Sequence, residues 1–231
     1  MEYMKKGVFI VLDGTDGSGK GTQTTKLVER LKLEGYQVET ADFPQYGKKS
    51  AGAVEEYLNG NYGTPQEVGP YRASIFYAVD RYDASFKIRS WIDEGKIVIC
   101  NRYVTANMGH QGSKITDEKE LSEYLEWLHH LEYHIFSIPK PDLNIILHVT
   151  AETSQRLVDM KDARDYVGGK KRDIHEADIN HLKSAEKTYL KIADMDPRYY
   201  RLVECEENNK LLSVDEIHNK IWEIINPIIK K

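Results

Sequence analysis

The chain has 231 residues, 40% of them hydrophobic and 30% charged, as in an ordinary soluble globular protein. Its formal net charge of -5 argues against a nucleic acid as its main partner. Since no stretch approaches the ~20 apolar residues of a membrane span, and the first apolar run is too short for a signal peptide, we expect a cytoplasmic protein with no membrane partner.

The first half of the chain alternates between predicted strands and helices. Residues 8–12 are continuously apolar, as expected of a strand buried on both faces of a parallel sheet. A helix follows over 20–33, and a short second strand is predicted over 37–42. A long helical pattern then covers 68–94, and Gly95 separates it from a third strand over 97–100.

The second half continues this alternation. Helices are predicted over 117–136, 151–160, 173–193 and 214–229, and strands over 143–149 and 199–203. Five strands separated by helices of ten or more residues indicate an α/β fold, with a five-stranded parallel sheet and helices on both faces. No linker-like segment interrupts residues 1–231, so we expect one domain. The two cysteines, Cys100 and Cys205, adjoin apolar runs and are expected to be buried thiols.

A phosphate-binding loop follows the first predicted strand. The segment 14–20 fits G-x-x-x-x-G-K and lies between a strand and a helix, as the motif requires. Its backbone N–H groups and the helix N-terminus favour phosphate, and Lys20 is expected to reach the β- and γ-phosphates of ATP. We therefore predict a P-loop NTPase fold. The predicted ATP-binding residues are Gly14, Thr15, Asp16, Gly17, Ser18, Gly19, Lys20, Gly21 and Thr22.

The loop lacks one residue of the full motif. Gly21 stands where a serine or threonine commonly binds Mg²⁺, and Thr22 comes one residue late. We expect Mg²⁺ to accompany ATP and to be held mainly by phosphates and water, which this ion tolerates well. No residue is therefore assigned as a direct metal ligand.

Segments beyond the phosphate loop resemble the thymidylate kinases. They are Asp-Phe-Pro at 42–44, Phe-Tyr-Ala-Val-Asp-Arg at 76–81, Asn-Arg-Tyr at 101–103, Gly-His-Gln-Gly at 109–112 and Pro-Asp-Leu at 141–143. The loop ending Gly-Lys-Gly-Thr-Gln is equally similar to adenylate kinases. The resemblance implies transfer of the γ-phosphoryl group of ATP to dTMP, giving dTDP and ADP for dTTP synthesis. It also implies a homodimer with the long helix region at the interface.

The resemblance assigns roles around the acceptor phosphate and sugar. Asp16 is expected to accept a hydrogen bond from the acceptor 3′-hydroxyl, although an aspartate in a turn often makes only a local bond. Arg102 is expected to bind the acceptor phosphate, because its planar fork suits phosphate oxygens. Asp16, Lys20 and Arg102 are thus the catalytic candidates outside the lid.

The same resemblance assigns the base contacts. Tyr77 would stack on thymine, although it could instead be helix core. Phe43 would either close the far side of the base or hold the Phe-Pro turn. Arg81 would donate to the carbonyl at position 4 of the base, and its alternative is a salt bridge to Asp80 or Asp83. Gln111 would contact the other base edge.

The basic segment at 161–173 resembles the lid of this family. Arg164 and Arg172 flank the glycine pair at 168–169 and are predicted to neutralise the migrating phosphoryl group, although a solvated charged loop is the common alternative.

Further departures from the family pattern leave other functions open. Asn101 replaces the usual aspartate before Arg102, and no arginine follows Pro44 closely. One alternative is a kinase for another nucleoside monophosphate. It could be dUMP or UMP, because uracil presents the same carbonyls as thymine, or AMP. The other is a nucleotide-binding regulator with weak turnover.

Overall fold

Five parallel strands form the central sheet, in the order β2-β3-β1-β4-β5. They are β1 (Val8–Gly14), β2 (Val38–Asp42), β3 (Ile97–Asn101), β4 (Leu143–His148) and β5 (Tyr200–Glu204). The structure is a computed structural model that describes residues 6–160, 179–208 and 210–230. The chain turns in opposite directions on either side of β1, so the carboxyl end of β1 opens at the switch point where α/β sheets bind ligands.

Helices connect the strands, and a short hairpin precedes the last helix. The helices are α1 (Lys20–Leu33), α2 (Gly52–Leu58), α3 (Pro65–Asp93), α4 (Val104–His110), α5 (Glu118–His129), α6 (Ala151–Asp159), α7 (Ile179–Met195) and α8 (Val214–Ile229). Short 3₁₀ turns lie at Lys49–Ala51 and Gly112–Lys114, a π-helical turn at His130–Ile135, and the hairpin pairs β6 (Glu206–Glu207) with β7 (Lys210–Leu211). Among these helices, none is both long enough and apolar enough to cross a membrane.

Two apolar cores lie on opposite faces of the sheet. Phe9 and Val11 of β1 belong to the core under α3, α4, α5 and α7, whereas Ile10 and Leu12 belong to the core under α1 and α8. This alternation explains why the run at 8–12 contains no polar residue. The predicted parallel sheet with helices on both faces is confirmed. Cys100 and Cys205 are buried and free, as predicted.

Some element boundaries differ from the sequence predictions. Helix α3 begins at Pro65 rather than 68, because Thr64 and Glu67 form a capping box and Gly69, with φ 74°, only interrupts the helix. The helix predicted over 117–136 ends as a π-helical turn after His129. Helix α4 was not predicted, because six of its seven residues are buried and they show no amphipathic period. Residues 173–178 of the predicted helix 173–193 lie outside the described residues.

Candidate active site

The phosphate loop depends on glycine where its backbone turns. Gly17 has φ 82°, and a Cβ there would lie 2.4 Å from the Ser154 carbonyl oxygen of α6. Gly14 has φ 135°, and its Cβ would lie 2.4 Å from the Leu147 carbonyl oxygen of β4. Both positions therefore require glycine for conformation and for space. The loop consequently packs tightly between β1, β4 and α6.

Lys20 closes the loop from inside. Its Nζ donates to the carbonyl oxygens of Gly14, at 3.1 Å, and Thr15, at 2.7 Å, and its side chain is buried. The hydroxyls of Thr15 and Ser18 are also buried, and within the described ranges neither has a hydrogen-bond partner. A buried ammonium and two buried hydroxyls in a glycine-rich loop at the start of a helix form a site suited to phosphate oxygens.

A cavity of about 590 Å³ opens in front of the loop. Its predicted lining residues are Asp16, Gly17, Ser18, Gly19, Lys20, Gly21, Thr22, Phe43, Tyr77, Arg81, Arg102 and Gln111. The predicted residues Gly14 and Thr15 do not line it. The volume is within the range of small-molecule sites. One cavity therefore brings together both the predicted ATP-binding loop and the predicted acceptor residues.

Asp16 and Arg102 form an ion pair across the floor of the cavity. Arg102 has φ 62°, a strained value for a residue with a side chain, and its backbone N–H donates to the Leu12 carbonyl oxygen at 2.9 Å. Its second guanidinium nitrogen lies 3.1 Å from Nε2 of His110. Burial holds the pKa of His110 well below its ordinary value, so a neutral imidazole accepts this hydrogen bond. The guanidinium is thus fixed from two sides.

Arg81 is buried in the wall of the cavity and pairs with a residue that was not anticipated. Its Nε lies 3.1 and 3.2 Å from the two carboxylate oxygens of Glu132, and a terminal nitrogen contacts the same carboxylate. The alternative of a salt bridge from Arg81 to Asp80 or Asp83 is wrong. Both aspartates instead accept from Gln45, Asp80 from the backbone N–H at 2.8 Å and Asp83 from the side-chain amide at 3.4 Å. Arg81 lines the cavity while Glu132 holds its guanidinium from behind.

Two of the predicted residues that line the cavity are aromatic. Tyr77 is half-buried and lines the cavity, and its ring meets that of Tyr57 edge-on, with centroids 6.4 Å apart. Phe43 is buried, precedes a cis peptide to Pro44, and packs on Tyr103 with centroids 5.7 Å apart. Tyr77 thus offers a surface to a ligand, while Phe43 is largely part of the core.

Carboxylate and amide oxygens gather beside the phosphate loop at the ends of β2 and β3. Asn101 donates from Nδ2 to the Asp42 carboxylate at 2.9 Å, and both residues line the cavity. The Asn101 Oδ1 atom is buried and has no hydrogen-bond partner within the described ranges. Across the same ranges, no group of three His, Cys, Asp or Glu side chains is placed to hold a metal ion.

Sequence reasoning missed an apolar wall on the other side of the phosphate loop. Leu211, Leu212, Val214 and Ile217 line the cavity there. Gln23 of α1 holds this wall in place by donating to the Val214 carbonyl oxygen at 2.9 Å. The wall lies almost 200 residues from the loop along the chain and carries no motif. His110 was missed as well, because only the fold brings it to Arg102. Arg164 and Arg172, the predicted lid arginines, lie outside the described residues.

Comparisons with known proteins show which family this chain resembles. The family model described as "Thymidylate kinase" matches residues 12–221. A thymidylate kinase of Mycobacterium tuberculosis is 28% identical over 187 residues, covering 80% of this chain and 86% of that protein. A probable thymidylate kinase of Pyrococcus horikoshii is 29% identical over 228 residues, covering 95% and 96%. A solved thymidylate kinase from Candida albicans superposes with a TM-score of 0.73 at 21% identity, covering 96% of this chain and 92% of that one.

Proposed function

The chain belongs to the thymidylate kinase family, and on that premise we propose how its cavity performs the family reaction. The protein transfers the γ-phosphoryl group of ATP to dTMP, giving ADP and dTDP for dTTP synthesis. One observation carries the site assignment: the phosphate loop with Lys20 and the acceptor set with Arg102 line the same cavity. Direct in-line transfer needs both nucleotides bound at once, and a shared cavity holds them side by side.

ATP occupies the side formed by the phosphate loop and the apolar wall. The loop residues 16–22, which line the cavity, surround the phosphates with backbone N–H groups, and the adenine ring packs on Leu211, Val214 and their neighbours. Lys20 exchanges its two carbonyl partners for oxygens of the β- and γ-phosphates, where its charge opposes the charge that develops during transfer.

dTMP occupies the side formed by α3, α4 and the Phe43–Pro44 turn. Tyr77 stacks on the base, Arg81 donates to the carbonyl at position 4, and Gln111 contacts the neighbouring edge. Phe43 supports the turn beneath the base. Glu132 keeps the Arg81 guanidinium in place, so the ion pair and the base contact are compatible.

Asp16 and Arg102 act on the sugar and the acceptor phosphate. Arg102 donates to phosphate oxygens through its planar fork, and Asp16 accepts from the 3′-hydroxyl. Their existing ion pair and the His110 contact hold both groups before substrate arrives. This preorganisation places the acceptor oxygen in line with the γ-phosphate.

The residues beside the phosphate loop fit a Mg²⁺ ion that would accompany ATP. Mg²⁺ prefers oxygen ligands and keeps several waters, which suits the Asp42 carboxylate and the Asn101 Oδ1 atom beside the phosphate loop. Bound Mg²⁺ would neutralise charge on the β- and γ-phosphates. We assign the remaining neutralisation to Arg164 and Arg172 of the lid segment 161–173, and we propose a single domain over 1–231 and a cytoplasmic location.

The acceptor assignment is tested by coupled ADP release with Mg-ATP and dTMP, dUMP, UMP, CMP, AMP or GMP. We expect kcat/KM to be highest for dTMP. A clear preference for another monophosphate would move the base contacts away from Tyr77 and Arg81. If ATP binds but no acceptor supports turnover, the proposed function is wrong.

Replacement of Arg102 should harm use of the acceptor selectively. We expect Arg102→Ala to lower kcat/KM for dTMP about a hundredfold or more, since hydrogen bonds to charged groups contribute roughly 1.5–3 kcal/mol each. Affinity for ATP should be unchanged. Steady-state kinetics with varied dTMP and titration with a fluorescent ATP analogue measure the two effects. Arg198→Ala, which removes an exposed partner of Asp196, is the control. Weaker ATP binding with unchanged use of dTMP would contradict the assignment.

We propose that the protein is a homodimer formed through α3. Four apolar side chains along one face of this helix are solvent-exposed to 41–61%. They are Ile75, Val79, Tyr82 and Phe86, spaced by three or four residues so that they form one stripe. Such a continuous exposed stripe is typical of an interaction surface.

A charge in this stripe should separate the protomers. We expect the wild-type chain to sediment at twice its 26.7 kDa mass and Phe86→Glu to sediment as a monomer at micromolar concentration. Leu33→Glu is the matched control, because Leu33 is 88% exposed on α1, away from the stripe. A wild-type monomer, or a Phe86→Glu dimer of unchanged stability, would refute this interface.

A further inference from the structure

Lys114 makes two hydrogen bonds next to the part of the cavity that we assign to the acceptor base. Its Nζ lies 2.6 Å from Oε1 of Gln111 and 2.7 Å from the hydroxyl of Tyr57. Lys114 is half-buried, and within the described ranges no carboxylate forms an ion pair with it. Its position at the end of the 3₁₀ turn Gly112–Lys114 puts it one turn beyond Gln111. An ammonium is thus placed against an amide instead of an acid.

This contact decides which end of the Gln111 amide faces the ligand. An ammonium has three donors and no acceptor, so the amide must present its oxygen to Lys114. The Nε2 group is then directed away from Lys114, and Gln111 itself lines the cavity. Among the described residues, Nε2 forms no hydrogen bond and is not fully buried. Gln111 therefore offers the cavity a donor.

The Tyr57 hydroxyl offers a way to keep this orientation when Lys114 loses its charge. Burial lowers the pKa of Lys114 to about 7, so both protonation states occur near neutral pH. When the amine is neutral, the Tyr57 hydroxyl can donate to its lone pair, which leaves its N–H groups for Gln111. With Tyr57 as donor, the neutral amine still donates to Gln111, and the amide keeps the same orientation.

A fixed donor distinguishes the two kinds of pyrimidine. Thymine and uracil carry a carbonyl acceptor at position 4, whereas cytosine carries an amino donor there. In the proposed function Arg81 donates to this carbonyl and Gln111 contacts the neighbouring edge, and a carbonyl oxygen has a second lone pair that can face that edge. If Gln111 reads this second lone pair, its Nε2 pairs with the carbonyl of thymine and opposes the amino group of cytosine. The opposite amide orientation would suit cytosine. Lys114, which lies behind Gln111, decides between these two orientations of the amide.

We propose that Lys114 is a positioning residue that sets base specificity by fixing the orientation of the Gln111 amide. The inference rests on the proposed function, since it assumes that Gln111 contacts the acceptor base. Lys114 itself need not touch the nucleotide. It predicts that a side chain at position 114 with only hydrogen-bond donors favours bases with a carbonyl at position 4. A side chain at 114 that accepts hydrogen bonds should weaken this preference.

Three substitutions at this position separate the possibilities, with kcat/KM measured for dTMP and dCMP. Lys114→Arg keeps an all-donor group and should retain the wild-type preference for dTMP. Lys114→Met frees the amide and should lower the dTMP-to-dCMP ratio about tenfold or more, the discrimination of one hydrogen-bonded base contact. Lys114→Glu accepts from Nε2, reverses the amide, and should lower the ratio further. Lys119→Glu, on an exposed side chain of α5, is the matched control.

The outcomes distinguish this inference from the proposed function. If the wild-type enzyme uses dTMP and both Lys114→Met and Lys114→Glu keep the wild-type ratio, the role of Lys114 is refuted. A purely structural role would lower both activities together and leave the ratio unchanged. If Lys114→Glu fails to fold, the ratio of Lys114→Met decides. If the wild-type enzyme shows no turnover with dTMP, the proposed function itself is wrong.

Discussion

Lys20→Met should abolish nearly all turnover while the protein stays folded. Loss of one preorganised charge at the transferred phosphoryl group is expected to lower kcat about 10²–10³-fold. Methionine has a similar length, so the cost to stability is limited to two hydrogen bonds to the carbonyl oxygens of Gly14 and Thr15, about 1 kcal/mol each. Coupled ADP release gives the rate, and circular dichroism during heating reports the fold.

The control for this variant is Lys26→Met on the same helix. Lys26 lies outside the cavity, where its Nζ is 2.7 Å from Asp215 on α8. The two variants share composition and net charge, so a difference in kcat reports the position of the ammonium rather than the overall charge. Equal rates for Lys20→Met and the wild-type enzyme would show that the phosphates bind elsewhere.

Arg81→Met should destabilise the protein more than any other change considered above. Arg81 and Glu132 are 1% and 0% exposed, and removal of one member leaves the other charge buried without its partner. Breaking such pairs lowers the free energy of unfolding by about 3–5 kcal/mol. Urea denaturation followed by circular dichroism measures the loss. Arg89→Met, farther along α3 with an exposed contact to the Ser137 carbonyl oxygen, should be nearly neutral.

A double variant separates the ion pair from the base contact. Arg81→Met with Glu132→Leu removes both charges, so we expect most of the lost stability to return. Use of dTMP should remain poor, because the donor to the carbonyl at position 4 is still absent. Recovery of both stability and activity in the double variant would show that Arg81 only balances Glu132. No recovery of stability would show that its cost has another origin.

The fold was predictable because its signals are local. The run at 8–12 is apolar throughout since both of its faces are buried, and the phosphate loop lies between strand and helix as its motif requires. The five strands and their parallel arrangement follow from this alternation. Helix α4 was missed because a seven-residue helix that is buried at all but one position carries no periodic pattern, and the π-helical turn at His130–Ile135 has no sequence signature.

The candidate site was predictable only where a motif spans it. The phosphate loop, Tyr77 and Arg102 come from short motifs, and the structure places them around one cavity. Glu132 could not be assigned to Arg81, because the contact joins α3 to the turn after α5 across 51 positions. The same limit applies to the apolar wall, which runs from the second strand of the hairpin into α8, and to Lys114. Their meaning depends on neighbours that only the tertiary structure supplies.

The pairing of β2 with β3 gives Asn101 a meaning that position 101 alone does not have. Asp42 and Asn101 are direct partners in the ladder, and the carboxylate accepts from the amide. An aspartate at 101 would face a second carboxylate, so the charge that the family pattern places on β3 is carried here by the neighbouring strand. Substitutions at 42 and 101 should therefore be epistatic. Relatives in which the acid has moved from one of these strands to the other would keep the electrostatics of the site. In a sequence alignment they would nevertheless appear to have lost a required residue.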